Sequence, residues 1–428
     1  MNIGSKAIHR GRSTLLRLFL LMITLAAATP APTAAQDTLP AVITIQPGDT
    51  WAGLALRYDT NAAELRALNP HMNAARQPAI GRAVTLPAGV TERTGRLIRS
   101  KDGLVSSAVG LGLPVWALAI ENGLPSPYAP LFHRPLVVPG DGRIRDLPVG
   151  VTALELSAAP ALPGMALGLW GTTNTAGAAV SAELDGLPVS FGTAGERFIG
   201  VVGTGAFYSG REPELVMRVD DGPAWVQPWA FAKREWEYQE LTLTGEAAQI
   251  DQQARDEERA RLRAIWTVAG PDPLWDGPFR IPLDSFLEIS ANYGARRSYN
   301  GGPYLTYHEG VDFSAYGGTP VLAPAAGTVV LAETLYVRGG TVIIDHGLGI
   351  YTGFYHMSAI HAVPGQQVAP GDLLGEVGTT GLSTGNHLHW DLLINGIWVD
   401  AAAWRESGLD CRLLEGLGRP CVNLPDGN

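Results

Sequence analysis

Cysteine is almost missing from this chain: there are two in 428 residues, Cys411 and Cys421, both near the C-terminus. So few thiols exclude a disulfide-dense scaffold, and in an oxidising compartment the pair is expected to close one local loop. Basic residues are also short, 31 Lys and Arg against 41 Asp and Glu, for a formal charge of -10. A protein that tracks a phosphate backbone needs the opposite balance, because it gains affinity by releasing counterions, so nucleic acid is not an expected partner. Long apolar runs are missing too, except for one near the start. There Lys6, Arg10, Arg12 and Arg17 precede an apolar stretch from Leu18 to Ala28 and the small residues Thr33-Ala34-Ala35. That order reads as a secretory signal over residues 1–35, cleaved on export. It leaves no membrane-spanning segment and places the mature chain in the periplasm, at the cell wall or outside the cell.

Turn formers are what the chain has in quantity: 52 Gly and 31 Pro. With 46% hydrophobic and 17% charged residues, they predict a folded, mostly β protein of short strands joined by many turns. The length exceeds what one ordinary core serves and predicts three or four units in a multidomain chain, expected to act as a monomer.

From Ile43 the sequence runs ITIQPGDTWAGLALRYDTNAAELRALNPHMN and closes with Val84-Thr85-Leu86-Pro87. A strand, a turn at Pro47-Gly48-Asp49, two short helices and a returning strand are expected, a βααβ unit. Over residues 42–88 it resembles a LysM domain, which implies binding of N-acetylglucosamine-containing glycans. Gly48, Asp49, Thr50 and Asn69 carry that resemblance and are the candidate glycan-binding residues. Residues 95–139 echo the pattern through Trp116-Ala117-Leu118-Ala119, Glu121-Asn122-Gly123-Leu124 and Leu136-Val137-Val138-Pro139, and look like a degenerate second copy. Alternating runs such as Thr152–Leu156, Val180–Leu184 and Leu215–Val219 then predict a β-sandwich over 149–244. Core or edge packing is the expected use of Trp225, Trp229 and Trp236 there. Residues 246–266 are rich in helix formers and predict a solvated linker helix with Asp256 paired to Arg259 and Glu257 to Arg261.

Six of the nine histidines fall between residues 308 and 389. His308-Glu309-Gly310-Val311-Asp312 offers an imidazole and a carboxylate, both suited to zinc. His387-Leu388-His389 offers two more imidazoles, which in a strand point to one face because residues two apart do. One can bind metal while the other stays free. Between them stands Tyr355-His356-Met357-Ser358. The three motifs together, with Tyr293-Gly294-Ala295-Arg296 and Gly381-Leu382-Ser383-Thr384-Gly385-Asn386 beside them, resemble the lysostaphin and LytM type of zinc metallopeptidase. The resemblance spans about residues 285–404 and implies an antiparallel β-sheet peptidase domain, set at 278–404; residues 405–428 are expected to form a C-terminal tail peripheral to catalysis. By position it implies His308, Asp312 and His389 as ligands of one Zn2+, with His356 and His387 as the unliganded catalytic pair. Bound zinc lowers the pKa of a water and polarises a carbonyl, and the two free histidines suit proton transfer. The implied substrate is the peptide part of bacterial peptidoglycan, with the glycan held by the LysM unit. A catalytically latent wall scaffold or activator is the alternative. His346 is expected in a structural role and His361 at the surface.

Overall fold

The protein is described here from a computed structural model, covering residues 41–73, 75–99, 103–128, 131, 135–267 and 270–422; the expected signal segment lies outside them. The first unit is β1 (Val42–Thr44), α1 (Trp51–Arg57), α2 (Ala62–Leu68) and β2 (Ala83–Thr85), with β1 and β2 antiparallel. Thr50 caps α1 by accepting from Gly53 N, and Asn61 caps α2 by accepting from Glu64 N, satisfying amide groups that a helix start leaves open. The second unit repeats the order as β3 (Thr94–Arg99), α3 (Leu104–Leu111), α4 (Val115–Glu121) and β4 (Pro135–Arg143). One detail marks the repetition. Asn69 donates to Leu65 O and Thr85 O and accepts from Thr85 N, and Asn122 likewise donates to Leu118 O and Val137 O and accepts from Val137 N.

Eight strands follow: β5 (Val151–Leu156), β6 (Ala166–Thr173), β7 (Val180–Leu184), β8 (Leu187–Pro188), β9 (Ser190–Ala194), β10 (Arg197–Gly203), β11 (Glu214–Val219) and β12 (Trp225–Pro228). They form two four-stranded sheets, ordered β5-β6-β10-β9 and β12-β11-β7-β8. Trp225 and Trp229 are buried, and their indole N–H groups donate to Asp146 O and Ala158 O. The sandwich ends earlier than its sequence pattern predicts. β13 (Tyr238–Leu241) leaves it and pairs in parallel with β15 (Arg296–Tyr299), at the edge of the C-terminal domain.

The predicted solvated linker is a docked helix. α5 (Gln252–Trp266) buries Glu258, Leu262 and Trp266 at four-residue spacing, and each large apolar side chain so covered contributes about 1.5–3 kcal/mol. Its arginines do not make the predicted pairs within the helix: Arg259 reaches Glu309 and Arg261 reaches Glu333. Beyond it, β14 (Glu288–Ala291), β15, β16 (Thr306–Tyr307), β17 (Gly310–Ser314), β18 (Pro320–Leu322), β19 (Gly327–Leu335), β20 (Gly339–Asp345), β21 (Ile350–Met357), β22 (Ala359–Ile360), β23 (Gln367–Val368), β24 (Leu373–Glu376), β25 (His387–Ile394) and β26 (Ile397–Val399) build the C-terminal domain. Its main sheet runs β14-β17-β25-β21-β20-β19-β23, with β26 against β25.

The C-terminal tail is packed into the fold. After α6 (Ala401–Ser407), α7 (Leu409–Gly416) buries Leu409, Leu413 and Leu414. Gly168 of β6 makes room: a Cβ there would stand 2.5 Å from Leu409 Cδ1. Asp410 accepts from Phe279 N at 2.7 Å, and Cys411 is bonded to Cys421 as the cysteine count predicts. Two large cores result, and neither respects the sequence units. One joins the first βααβ unit (Trp51, Leu54) to the sandwich (Leu154, Trp229), and the other joins sandwich strand β10 (Ile199, Val201) to the C-terminal domain.

Candidate metal centre

β25 alternates as a strand must, so His387, His389 and Asp391 share one face while Leu388, Trp390 and Leu392 enter the core. Asp312 of β17 lies directly opposite His389 in the register. His308, just before β17, is fixed by its own backbone, donating to Ala295 O and accepting from Gly294 N. Gly310 lets the strands close: a Cβ there would meet Trp390 O at 2.3 Å and His389 Nε2 at 2.7 Å.

The three side chains converge. His308 Nε2 is 2.9 Å from Asp312 Oδ1 and 3.0 Å from His389 Nδ1, and His389 Nδ1 is 2.8 Å from the same Oδ1. On its far side His308 Nδ1–H donates to Asn292 O at 3.0 Å. That bond fixes the neutral tautomer and turns the Nε2 lone pair inward, the outer-partner arrangement usual for a metal-binding imidazole. Acceptor atoms crowded this way repel one another unless a cation stands between them. Edges of 2.8–3.0 Å approach the spacing of roughly 3.3 Å that tetrahedral ligands about 2 Å from zinc require. The donor set fits such an ion. Burial alone raises the Asp312 pKa, but His308 and His389 override it and hold the carboxyl well below its usual range. Arg297 Nη2 donates to the outer oxygen, Oδ2, at 3.0 Å. Burial lowers both His308 and His389, the latter to about 4, so neutral rings face the site at neutral pH.

The remaining pair stands beside these three. His387 Nε2 is 3.8 Å from Asp312 Oδ1, and the His356 and His387 rings lie 4.7 Å apart. Regular alternation would have turned His356 away, because its neighbour Tyr355 is the residue that pairs with His389. A register shift between β20 and β21 and a left-handed His356 backbone, φ +64°, turn the side chain back to the site. Strain of this kind, about 1–3 kcal/mol, collects at functional sites. Both rings donate from Nδ1 to a backbone carbonyl, Thr380 O for His356 and Gly385 O for His387, each at 2.8 Å. Their Nε2 lone pairs are therefore free to accept a proton. Burial, followed by the neighbouring His387 and His389, pushes His356 down to about 3.

Behind the site Tyr355 donates to Asp391 Oδ2 at 3.1 Å and Trp398 Nε1 donates to the same atom at 2.8 Å. His346 is buried between Ala326 O and Thr352 Oγ1, and His361 is part-exposed beside Glu376. Sequence reading missed the arginines of the cleft. Arg255 and Arg259 come from α5, and Arg338 is held by Glu258 and Glu309. The only sequence signal was the spacing of Glu258, Leu262 and Trp266, which marks a face for docking.

The four candidate glycan residues lie elsewhere and are corrected. Asp49 is wholly buried and bound by Arg57 Nη2, Arg143 Nη2 and Gln46 N. Thr50 Oγ1 contacts Asp146 Oδ2 at 3.1 Å while capping α1, and Gly48 N donates to Gln227 Oε1 of the sandwich at 2.9 Å. Asn69 is spent on the clamp described above. All four hold the first unit together and against its neighbour, and none is presented to solvent.

Residues 306–401 match the model of Peptidase family M23 and residues 43–87 that of the LysM domain. The peptidoglycan DD-endopeptidase ShyA of Vibrio cholerae is 38% identical over 122 residues, 28% of each chain. The DD-carboxypeptidase/endopeptidase Mpg of Neisseria meningitidis is 37% identical over 123 residues, 28% of this chain and 27% of that one. The chain thus spans little more than a quarter of the length of the relatives it matches. A crystal structure of a peptidase M23 from Pseudomonas aeruginosa, 28% identical, covers 58% of this chain and 95% of its own with a TM-score of 0.41.

Proposed function

We propose that this chain, which carries a Peptidase family M23 domain and a LysM domain, is an exported zinc endopeptidase that cuts peptide bonds in bacterial peptidoglycan. The observation that carries the reading is the meeting of two imidazole nitrogens and a carboxylate oxygen within 3.0 Å of one another. His308 through Nε2, Asp312 through Oδ1 and His389 through Nδ1 would hold one zinc ion. Zinc bound there supplies Lewis acidity for the scissile carbonyl and makes a water acidic enough to lose a proton near neutral pH. His356 and His387, each with Nδ1 committed to a backbone carbonyl, would offer Nε2 so that one of them takes up a proton and returns it to the leaving amine. Tyr355 and Asp391 brace the strand pair beneath. The activity named for the relatives makes the stem-peptide DD cross-link the preferred bond over an interpeptide bridge.

The LysM unit supplies wall affinity through surfaces other than the four buried residues, and residues 95–139 are its degenerate copy, joined by the same asparagine clamp. The protein acts as a monomer at the wall. A latent scaffold has less support, since all five candidate side chains are retained and lie close together.

Purified peptidoglycan sacculi incubated with zinc-loaded protein, then analysed by mass spectrometry, test the reading. New free peptide ends that vanish on chelation and in His308→Ala and His387→Ala are expected. Products with new sugar ends, or intact sacculi that merely retain the protein, reject it.

A further inference from the structure

The cleft above the three ligands is a cavity of about 140 Å³, and α5 forms one of its walls. Its lining is basic. Arg255, Arg259, Arg297 and Arg338 face it with Glu309 as the one acid among the lining residues, in a chain whose formal charge is -10. A local excess of cations against the sign of the whole protein raises the local concentration of an anionic ligand.

Three of the four guanidinium groups are already engaged by carboxylates: Arg297 by Asp312, Arg259 by Glu309, and Arg338 by Glu258 and Glu309. Arg255 has no carboxylate partner among the described residues. It lies over the Tyr299 ring, 4.9 Å from the centroid, and donates from Nη2 to Ile250 O at 3.0 Å, while its Nε has no hydrogen-bond partner. Stacking on an aromatic face and one backbone bond hold the planar group in place without neutralising it. A guanidinium fixed this way loses little freedom on meeting a carboxylate; with Nε buried and Nη2 already donating to Ile250 O, Nη1 and the second Nη2 hydrogen are the donors left for it.

We propose that Arg255 determines specificity by receiving a non-reacting carboxylate of the peptide substrate, so that peptides with a free carboxylate near the scissile bond are preferred. The inference rests on the peptidase reading of the site, and names the substrate chemistry that the cleft selects.

Two synthetic peptides that differ only in a carboxylate or a carboxamide near the cleaved bond test it, with zinc-loaded full-length protein, Arg255→Gln, Arg255→Lys and Tyr299→Leu. The wild type is expected to favour the acid peptide about tenfold or more in kcat/KM, as sites built around a specific polar contact do. Arg255→Gln should erase that preference through KM while leaving the amide peptide unchanged, Arg255→Lys should keep part of it, and Tyr299→Leu should weaken it. Equal losses on both peptides, or a preference that survives Arg255→Gln, overturn the proposal. Calorimetric binding of both peptides to the chelated protein separates the two readings. Acid-selective binding that depends on Arg255, with no cleavage of either peptide, retains this inference and rejects the peptidase; equal binding of the two peptides rejects the inference.

Discussion

Two buried aspartates of this chain sit in clusters that look alike on paper. Asp49 follows a glycine turn and Asp312 a glycine-containing strand, and each has basic neighbours. Their closure differs. Around Asp49 every partner is a donor, two arginines and a backbone N–H, so the charge is met and the cluster is complete. Around Asp312 the inner oxygen faces two imidazole nitrogens, of which that of His308 is made an acceptor by its outer bond to Asn292 O, and only the outer oxygen meets a cation, Arg297. The first arrangement stabilises a fold. The second demands something from outside, and that demand separates a binding site from a structural ion pair better than residue type does.

The largest test of the contrast removes one member from each cluster. His308→Ala should lower kcat/KM on cross-linked peptide by about 10³-fold or more, since the metal supplies both nucleophile and polarisation, and metal analysis should show the zinc lost. Asp49→Asn should leave kcat/KM within about twofold, as sites far from the chemistry do. Next, His356→Ala and His387→Ala should each cost about 10²- to 10⁴-fold with zinc content unchanged, because general acid–base groups contribute that much. If zinc falls in step with activity, the division into ligands and proton carriers is wrong. Third, Asp49→Ala should destabilise the first unit by about 3–5 kcal/mol, the usual cost of leaving a buried arginine unpaired. Denaturant unfolding followed by tryptophan emission would show it.

A smaller effect comes from a buried histidine outside both clusters. Burial depresses the His346 pKa to about 4, against roughly 6.5 in an unfolded chain. Between those values the unfolded state binds a proton that the folded state refuses, so stability is full above about pH 6.5 and falls as pH drops toward 4. The loss is on the order of 3 kcal/mol. His346→Gln should flatten that part of the pH profile in denaturant titrations while leaving kcat/KM at pH 7.5 close to wild type.

The candidate metal cluster was legible because its residues obey local rules. Residues two apart share a strand face, which put His387 with His389, and the short His308 to Asp312 spacing needs one strand entry to bring both to the same ion. His356 obeys no such rule: only a left-handed residue at a register shift turns it inward, and nothing in Tyr355-His356-Met357 announces φ +64°. The cleft arginines were hidden for another reason. Helix propensity describes α5 alone, whereas its role depends on docking through Leu262 and Trp266 against strands far away in sequence. The glycan residues failed in the opposite sense, since a polar side chain beside a turn reads as exposed until its partners are known, and those partners lie as far off as Arg143 and Gln227. The same long-range pairing moved β13 out of the sandwich.

The sandwich shares one core with the LysM unit and another with the peptidase domain, and this gives the protein a fixed reach. Modules on a flexible string search a volume set by linker length. Here the candidate cleft and the LysM unit belong to one compact body. On the proposed function, an anchor gripping a strand of the wall would leave available only the bonds at one set offset, and each new cut would require it to let go and bind again.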